Sequence, residues 1–369
     1  MPSDPLPVAV IGVGGFGRWT LNALRETPAA NVVGLSDVDH RVADRAGRET
    51  GILAYSDNRS LLAETRPQAV FLATPPTAAP EILSACAERG IHVWKELPLA
   101  RNLDEGVAMV RLMDQAKLKL AVGTQRRFSA TYRRAWELRH SLGATFLARA
   151  HYLFNWGPDL RWRGDRASAG GGAMLELGYH TVDLLGWMLG LPEDVYGTTA
   201  GGNRPDEQGP EGEQLPLYDT DDTAACVLRY AGGAVATVVA TRSSGPVSEA
   251  LCLHGRRGSI EANYERCLLR DPDGNILDRT DEETAPLAVF RRQVEAFIAA
   301  VRDETPRYQA SARENLLNLA VVEAVYLSGR TGQPEQPARL LHNHGLKEDD
   351  CLKPRPIEEP AEDVPAAEG

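Results

Sequence analysis

Val8-Ala9-Val10-Ile11-Gly12-Val13-Gly14-Gly15-Phe16-Gly17 is a short apolar run that breaks into a glycine-rich turn, and a helix-compatible segment follows from about Phe16 to Thr27, stopping before Pro28. A strand, then Gly12-x-Gly14-x-x-Gly17, then a helix is the context in which this glycine spacing predicts a dinucleotide-binding turn. Gly12 is expected to make the tight turn and Gly14 to admit a pyrophosphate close to the backbone. Gly17 is expected to let helix and strand pack, with the helix N-terminus facing the anion. Phe16 lies inside the same loop and is counted with these glycines among the cofactor-binding candidates. A second apolar run, Asn31 to Ser36, ends in Asp37, close to the spacing of about 20 residues at which such folds place a ribose-binding acid. A carboxylate there accepts hydrogen bonds from a ribose 2′-hydroxyl and repels a 2′-phosphate. NAD is therefore expected over NADP, with Arg41 the one nearby residue that speaks for NADP.

Outward from this turn, strand-like runs at about 8–13, 31–37, 68–74, 91–96 and 119–124 alternate with helical stretches. Such alternation predicts a doubly wound parallel sheet with right-handed crossovers, a Rossmann domain over residues 1–125. Thr74-Pro75-Pro76 ends one of its strands at the edge where open α/β sheets bind ligands. After a helical stretch at 129–141 the pattern changes. Runs at 144–154, 222–230, 232–244 and 248–254, and short pieces flanking an Asp273-Gly274 turn, read as strands of a mainly antiparallel open sheet. With one interior helix near 176–189 and closing helices near 287–303 and 311–328, residues 126–335 are expected to form an α+β domain for substrate binding and oligomerisation. Residues 201–219 read as a long loop, and the Pro- and Glu-rich 336–369 as a disordered tail.

The composition narrows the partners. A net charge of −11 over 369 residues argues against nucleic-acid binding, which needs clustered cations. No apolar run is long enough to span a bilayer. MPSDPLP at the N-terminus lacks the charged and apolar regions of an export signal, so a cytoplasmic protein is expected. Five widely spaced cysteines (86, 226, 252, 267, 351) without a C-x-x-C pair read as reduced thiols, and no His/Cys cluster has metal spacing. His151 and His254 read as structural, and His342 and His344 as solvated in the tail.

The chemistry is expected in Gly171 to Asp183, GGAMLELGYHTVD, which places Glu176, His180 and Asp183 at i, i+4 and i+7. On a helix these offsets share one face, and a carboxylate one turn from an imidazole orients it for acid–base work. The plainer alternative is a glycine-rich loop before a half-buried helix whose His180 and Asp183 bond to neighbours.

Taken in order, Gly12–Gly17, Thr74-Pro75, HVWKELPLA (His92–Ala100), QRRF (Gln125–Phe128), Trp162-Arg163, GGGAMLELGYHTVD and Asp222-Thr223 resemble the glucose-fructose oxidoreductase / inositol dehydrogenase / rhizopine-catabolism family of NAD(P)-dependent oxidoreductases. The resemblance covers about residues 6–335. It implies hydride transfer between a nicotinamide and a ring hydroxyl or ketone of a sugar, inositol or related polyol. It also implies a homo-oligomer, dimer or tetramer, assembled through the second domain. Members carry Glu-Lys-Pro after the fifth strand and Asp-x-Gly-x-His on the substrate-domain helix. There the lysine and histidine serve the reacting oxygen and the aspartate supports the histidine. This chain has Glu96-Leu97-Pro98, so Leu97 stands at the lysine position, and Glu176 stands at the aspartate position. If the segment is extended, Lys95 shares a face with Leu97 and its ammonium is expected to arrive near the usual place. The resemblance further places Glu96 near the nicotinamide ribose, Gln125 near the cofactor carboxamide or substrate, and Trp162 and Arg163 at the pocket rim. On this reading the catalytic set is His180, Glu176 and Lys95. The loss of the lysine position leaves a second reading open, a non-catalytic sensor of NAD or sugar on the same fold.

Overall fold

The computed structural model describes residues 4–157, 159–202, 212, 217–282, 286–303 and 308–352; most of the 201–219 loop lies outside them. Six parallel strands form the first sheet: β1 (Leu6–Ile11), β2 (Ala30–Ser36), β3 (Ala54–Tyr55), β4 (Ala69–Leu72), β5 (His92–Lys95) and β6 (Leu120–Val122), in the order β3-β2-β1-β4-β5-β6. Strands β1 and β4 are almost wholly buried because helices cover both faces of the sheet, and this is why their sequences are continuous apolar runs. The expected strands are found within a few residues. Only the two-residue β3, too short to leave a pattern, was not foreseen.

The second sheet contains β7 (Thr145–Asn155), β8 (Asp194–Ala200), β9 (Thr223–Arg229), β10 (Val235–Thr241), β11 (Ser243–Gly255), β12 (Gly258–Ala262), β13 (Arg266–Arg270) and β14 (Ile276–Asp281). Their order is β14-β13-β12-β11-β7-β10-β9-β8, antiparallel throughout except for the β7/β10 pair. Ala148, Ala150, Ala236 and Val238 turn inward with residues of the helix Tyr179–Leu189. The opposite face exposes Tyr196, Val227 and Val239, which the strand registers place on one side. Strands β8 and β12 were not anticipated. Gly197 interrupts β8, whose apolar residues are few, and β12 is only five residues long.

Two expectations about the C-terminal part need correction. The helix Pro286–Val301 does not join the second sheet: Phe290, Val294, Phe297 and Ile298 pack with Leu21, Leu24, Phe71 and Trp94 of the Rossmann domain. The apolar face of the helix decides its place, and that face has no sequence signature for which sheet it covers. The tail is also ordered to residue 352. Helices Pro337–Asn343 and Glu348–Leu352 bury Leu341 and Cys351 against the long helix Ala312–Thr331. Glu348 Oε1 accepts from Leu191 N at 3.1 Å, and His344, expected to be solvated, lies 3.3 Å from Asp104. Residues 353–369, the rest of the expected disordered tail, lie outside the described residues.

Candidate active site

The nucleotide edge follows from β1. Gly12 has φ +84°, and a Cβ there would stand 2.4 Å from Ala73 O; a Cβ on Gly17 would stand 1.9 Å from Gly12 O. Both positions therefore require glycine, for the turn and for strand–helix approach respectively. A Cβ on Gly14 would meet nothing within 4 Å, so the backbone there borders open space. The helix Gly15–Arg25 starts at that point with no side-chain cap on its first N–H groups. Free N–H groups at a helix N-terminus beside a glycine are what a pyrophosphate needs. Asp37, just past β2, accepts from Val13 N at 2.9 Å and from Asp39 N at 3.1 Å, which fixes its carboxylate beside the turn. Among the described residues, Thr74 Oγ1 and Glu96 Oε2 are buried without hydrogen-bond partners at the ends of β4 and β5. Buried polar atoms of this kind call for a ligand or water. The chain's residues thus fit a dinucleotide along this edge.

Burial raises the Glu96 carboxyl to about 7 against the lowering influence of Leu97 N–H, Lys95 and Arg126. Lys95 does not reach the place expected for it. Its Nζ donates to Glu96 O at 3.0 Å and Pro98 O at 2.6 Å, under its own loop, and burial lowers it to about 8. The reason is that β5 ends at Lys95, so the strand alternation that would align residues 95 and 97 stops there. Lys95 instead follows Val93 onto the face covered by the helix Leu103–Gln115, whose Glu105 is among the charges it feels.

His180 sits at the start of the helix Tyr179–Leu189 and is only 9% exposed. The segment before it, Met174–Gly178, is a π-helical turn, a form frequent at functional sites. Asp221 holds this segment's entrance by accepting from Gly172 N at 2.7 Å and Met174 N at 2.9 Å. Glu176 does not orient His180, contrary to the expectation from their spacing. The wider turn alters the register between them, and the Arg163 guanidinium takes the Glu176 carboxylate. Arg163 in turn lies 4.1 Å from the Trp156 ring centroid and 4.4 Å from that of Trp162, between two indoles. Phe16 closes against Trp156 edge-on, with centroids 6.4 Å apart. The cofactor turn and the Trp162/Arg163 rim therefore meet through one aromatic row. Asp183 is also turned away from His180, bonded by both oxygens to Arg127 at 2.8 and 2.7 Å.

The cation beside His180 is Arg126. Its Nη1 lies 3.2 Å from His180 Nε2, and its Nε and Nη2 donate to Glu249, the shortest bond being 2.6 Å. Gln125, with its amide turned to satisfy both ends, donates to Gly123 O and accepts from Arg126 Nη1, each at 2.8 Å. Tyr132 donates to Glu249, and Tyr152, opposite Glu249 in the β7/β11 register, carries the Arg126 guanidinium 4.8 Å above its ring. Burial, and secondarily the Arg126 charge, hold the His180 imidazole well below its ordinary value. Arg126 lay in view in QRRF, directly after the last Rossmann strand, but its task depends on Glu249 and Tyr132, which no local pattern announces.

Comparison with known proteins gives a family match for each of the two domains. Residues 6–124 match the profile of the oxidoreductase family with NAD-binding Rossmann fold, and residues 131–261 match the GFO/IDH/MocA C-terminal domain. A levoglucosan dehydrogenase of Pseudarthrobacter phenanthrenivorans is 29% identical over 71% of this chain and 74% of its own. A D-xylose 1-dehydrogenase (NADP+) of Haloferax volcanii is 27% identical over 88% and 97%. The solved structure of a levoglucosan dehydrogenase with NADH and levoglucosan superposes with a TM-score of 0.80 at 22% identity, covering 90% of this chain and 99% of that one. Among the described residues no helix is long and apolar enough to cross a membrane, and no group of His, Cys, Asp and Glu is placed to hold a metal ion.

Proposed function

Because the chain belongs to the GFO/IDH/MocA family of oxidoreductases, whose two domains it matches in order, we propose that it uses NAD to interconvert a ring hydroxyl and a ketone of a sugar, inositol or related polyol. One observation carries this reading: Arg126, at the end of the Rossmann domain, contacts both Gln125 at the nucleotide edge and His180 on the substrate-domain helix. The cofactor edge and the one imidazole suited to a reacting oxygen are thereby joined.

When bound, the nicotinamide supplies or accepts the hydride. This chain's residues do the remainder. Gly12, Gly14, Gly17 and the helix N-terminus hold the pyrophosphate, Asp37 takes the adenosine ribose hydroxyls, and Thr74, Pro75, Glu96 and Gln125 line the nicotinamide end. His180 meets the reacting oxygen. The Phe16/Trp156/Trp162 row gives a sugar ring an apolar surface, and Arg163 offers donors to its hydroxyls. Glu176 acts through Arg163, as a positioning residue. Lys95 braces the loop that presents Glu96 and Leu97. The open face with Tyr196, Val227 and Val239 is where a homodimer or homotetramer would assemble in the cytoplasm.

Calorimetric titration with NAD, followed by a screen of sugars, inositols and anhydrosugars for NADH formation and, in reverse, of their ketones for NADH loss, tests the proposal. Turnover on at least one compound is expected. NAD binding with no turnover in either direction would replace it with the sensor reading that Leu97 favours. For cofactor choice, the Haloferax relative named as using NADP+ leaves Asp37 as the deciding residue. Asp37→Ala is expected to weaken NAD about tenfold or more, the worth of hydrogen bonds to a charged acceptor, and to narrow the preference over NADP. Equal binding of both cofactors by the unaltered chain would show that Asp37 does not select.

A further inference from the structure

We infer that Arg126 fixes the tautomer of His180, so that His180 presents Nδ1–H to the substrate oxygen as a neutral donor. The inference rests on the reading of His180 as the residue that meets that oxygen, and it deepens it.

A guanidinium has five donors and no acceptor. With Arg126 Nη1 at 3.2 Å, His180 Nε2 therefore has to offer its lone pair, and the ring proton belongs on Nδ1. Arg126 is held to this task from all sides. Glu249 binds Nε and Nη2, Tyr132 secures Glu249, Gln125 accepts from Nη1, and the Tyr152 ring lies under the guanidinium. The other ring nitrogen, His180 Nδ1, is buried and without a partner among the described residues. A buried N–H left unpaired is destabilising, so the position is one that a ligand oxygen completes.

The groups around His180 agree with a neutral ring. Arg126 faces it from the 125–128 turn, Tyr152 from β7 with ring centroids 5.6 Å apart, and Glu249 of β11 stands behind Arg126. On its own helical segment Glu176 is paired with Arg163 and Asp183 with Arg127, so neither carboxylate is available to stabilise an imidazolium. A neutral imidazole with its proton on Nδ1 polarises a carbonyl and steadies negative charge on its oxygen. It has no free lone pair with which to take a hydroxyl proton, so the proton that the oxygen loses on oxidation or gains on reduction is exchanged with solvent water. Arg126 thus stands in for the absent lysine of position 97, acting through His180 as a positioning residue.

The test is a long-range 15N–1H correlation spectrum of the full chain labelled at histidine, with His180 assigned by its loss in H180N. The unaltered chain is expected to show His180 as the Nδ1–H tautomer, unchanged from about pH 5.5 to 8.5, whereas in R126M the ring is expected to leave that tautomer. A wild-type His180 protonated on Nε2, or titrating in the ordinary range, overturns the inference. So does an R126M spectrum in which the Nδ1–H tautomer persists. The wild-type spectrum decides the tautomer even if R126M fails to fold. No nicotinamide or sugar is needed, so failure of the oxidoreductase reading and failure of this inference are separately visible.

Discussion

Replacing His180 by alanine is expected to lower turnover by roughly 10²–10³, the range found when a positioned proton-handling or hydrogen-bonding group is removed from a reacting oxygen. The loss should appear in kcat and in kcat/KM together, because the group strengthens its hold as charge develops on that oxygen. NAD affinity should be almost unchanged, since no atom of His180 contributes to the glycine turn, to Asp37 or to Thr74. Steady-state kinetics on any substrate from the screen, beside calorimetry with NAD alone, separates the two quantities. His180→Ala turning over at more than about a tenth of the wild-type rate would remove it from the reacting centre. Glu176→Gln makes the comparison sharper. Its carboxylate bonds Arg163 and not the imidazole. Its effect should therefore fall mainly on KM for the sugar, through the Arg163/Trp162 rim.

What could be read from the chain beforehand divides along a physical line. The Rossmann half was legible almost strand by strand, because its strands are buried on both faces and its cofactor turn demands glycine for steric reasons local to residues 12–17. The places of Asp37 and Thr74 just past strand ends were legible for the same reason. The pairings at the chemical centre were not. Spacing put Glu176, His180 and Asp183 on one helical face, but each found its partner elsewhere in the fold: Arg163, Arg126 and Arg127. A charge one turn away on a helix offers a few tenths of a kcal/mol, whereas a buried guanidinium with matched geometry offers several times that. Long-range arginines therefore win, and their sequence separations of 13, 54 and 56 residues leave no local trace. Lys95 failed for a related reason. The rule of alternation holds only within a strand, and β5 ends at that residue.

The same logic makes Arg127→Met the substitution with the largest expected effect on stability. Arg127 is buried at the junction of the domains. It grips both oxygens of Asp183, bonds Glu314 at 2.5 Å and Gln309 O at 2.6 Å, while Asn318 donates to Asp183 at 2.8 Å. Methionine fills much of the volume but removes the cation that holds both oxygens of the buried Asp183. Breaking a buried pair from one side is destabilising by about 3–5 kcal/mol, to be read from urea unfolding of variant and parent. The pH dependence supplies an internal check. Burial already raises the folded-state pKa of Asp183, with Arg127 opposing it. Without Arg127 the carboxyl should rise further, so the folded variant binds a proton that the unfolded chain, titrating near ~3.9, has released. Stability is then retained at low pH and lost as pH rises through the folded-state value, so the deficit should be smaller near about pH 5 than near about pH 8. A deficit below about 1 kcal/mol at both values would mean that the pair behaves like a solvated one. Function is tied to this anchor: Asp183 lies three residues beyond His180 on one helix, and Arg127 lies next to Arg126 in one turn. Adjacent arginines thus grip neighbouring points of the same helix, and loosening the second should unseat the first from the imidazole.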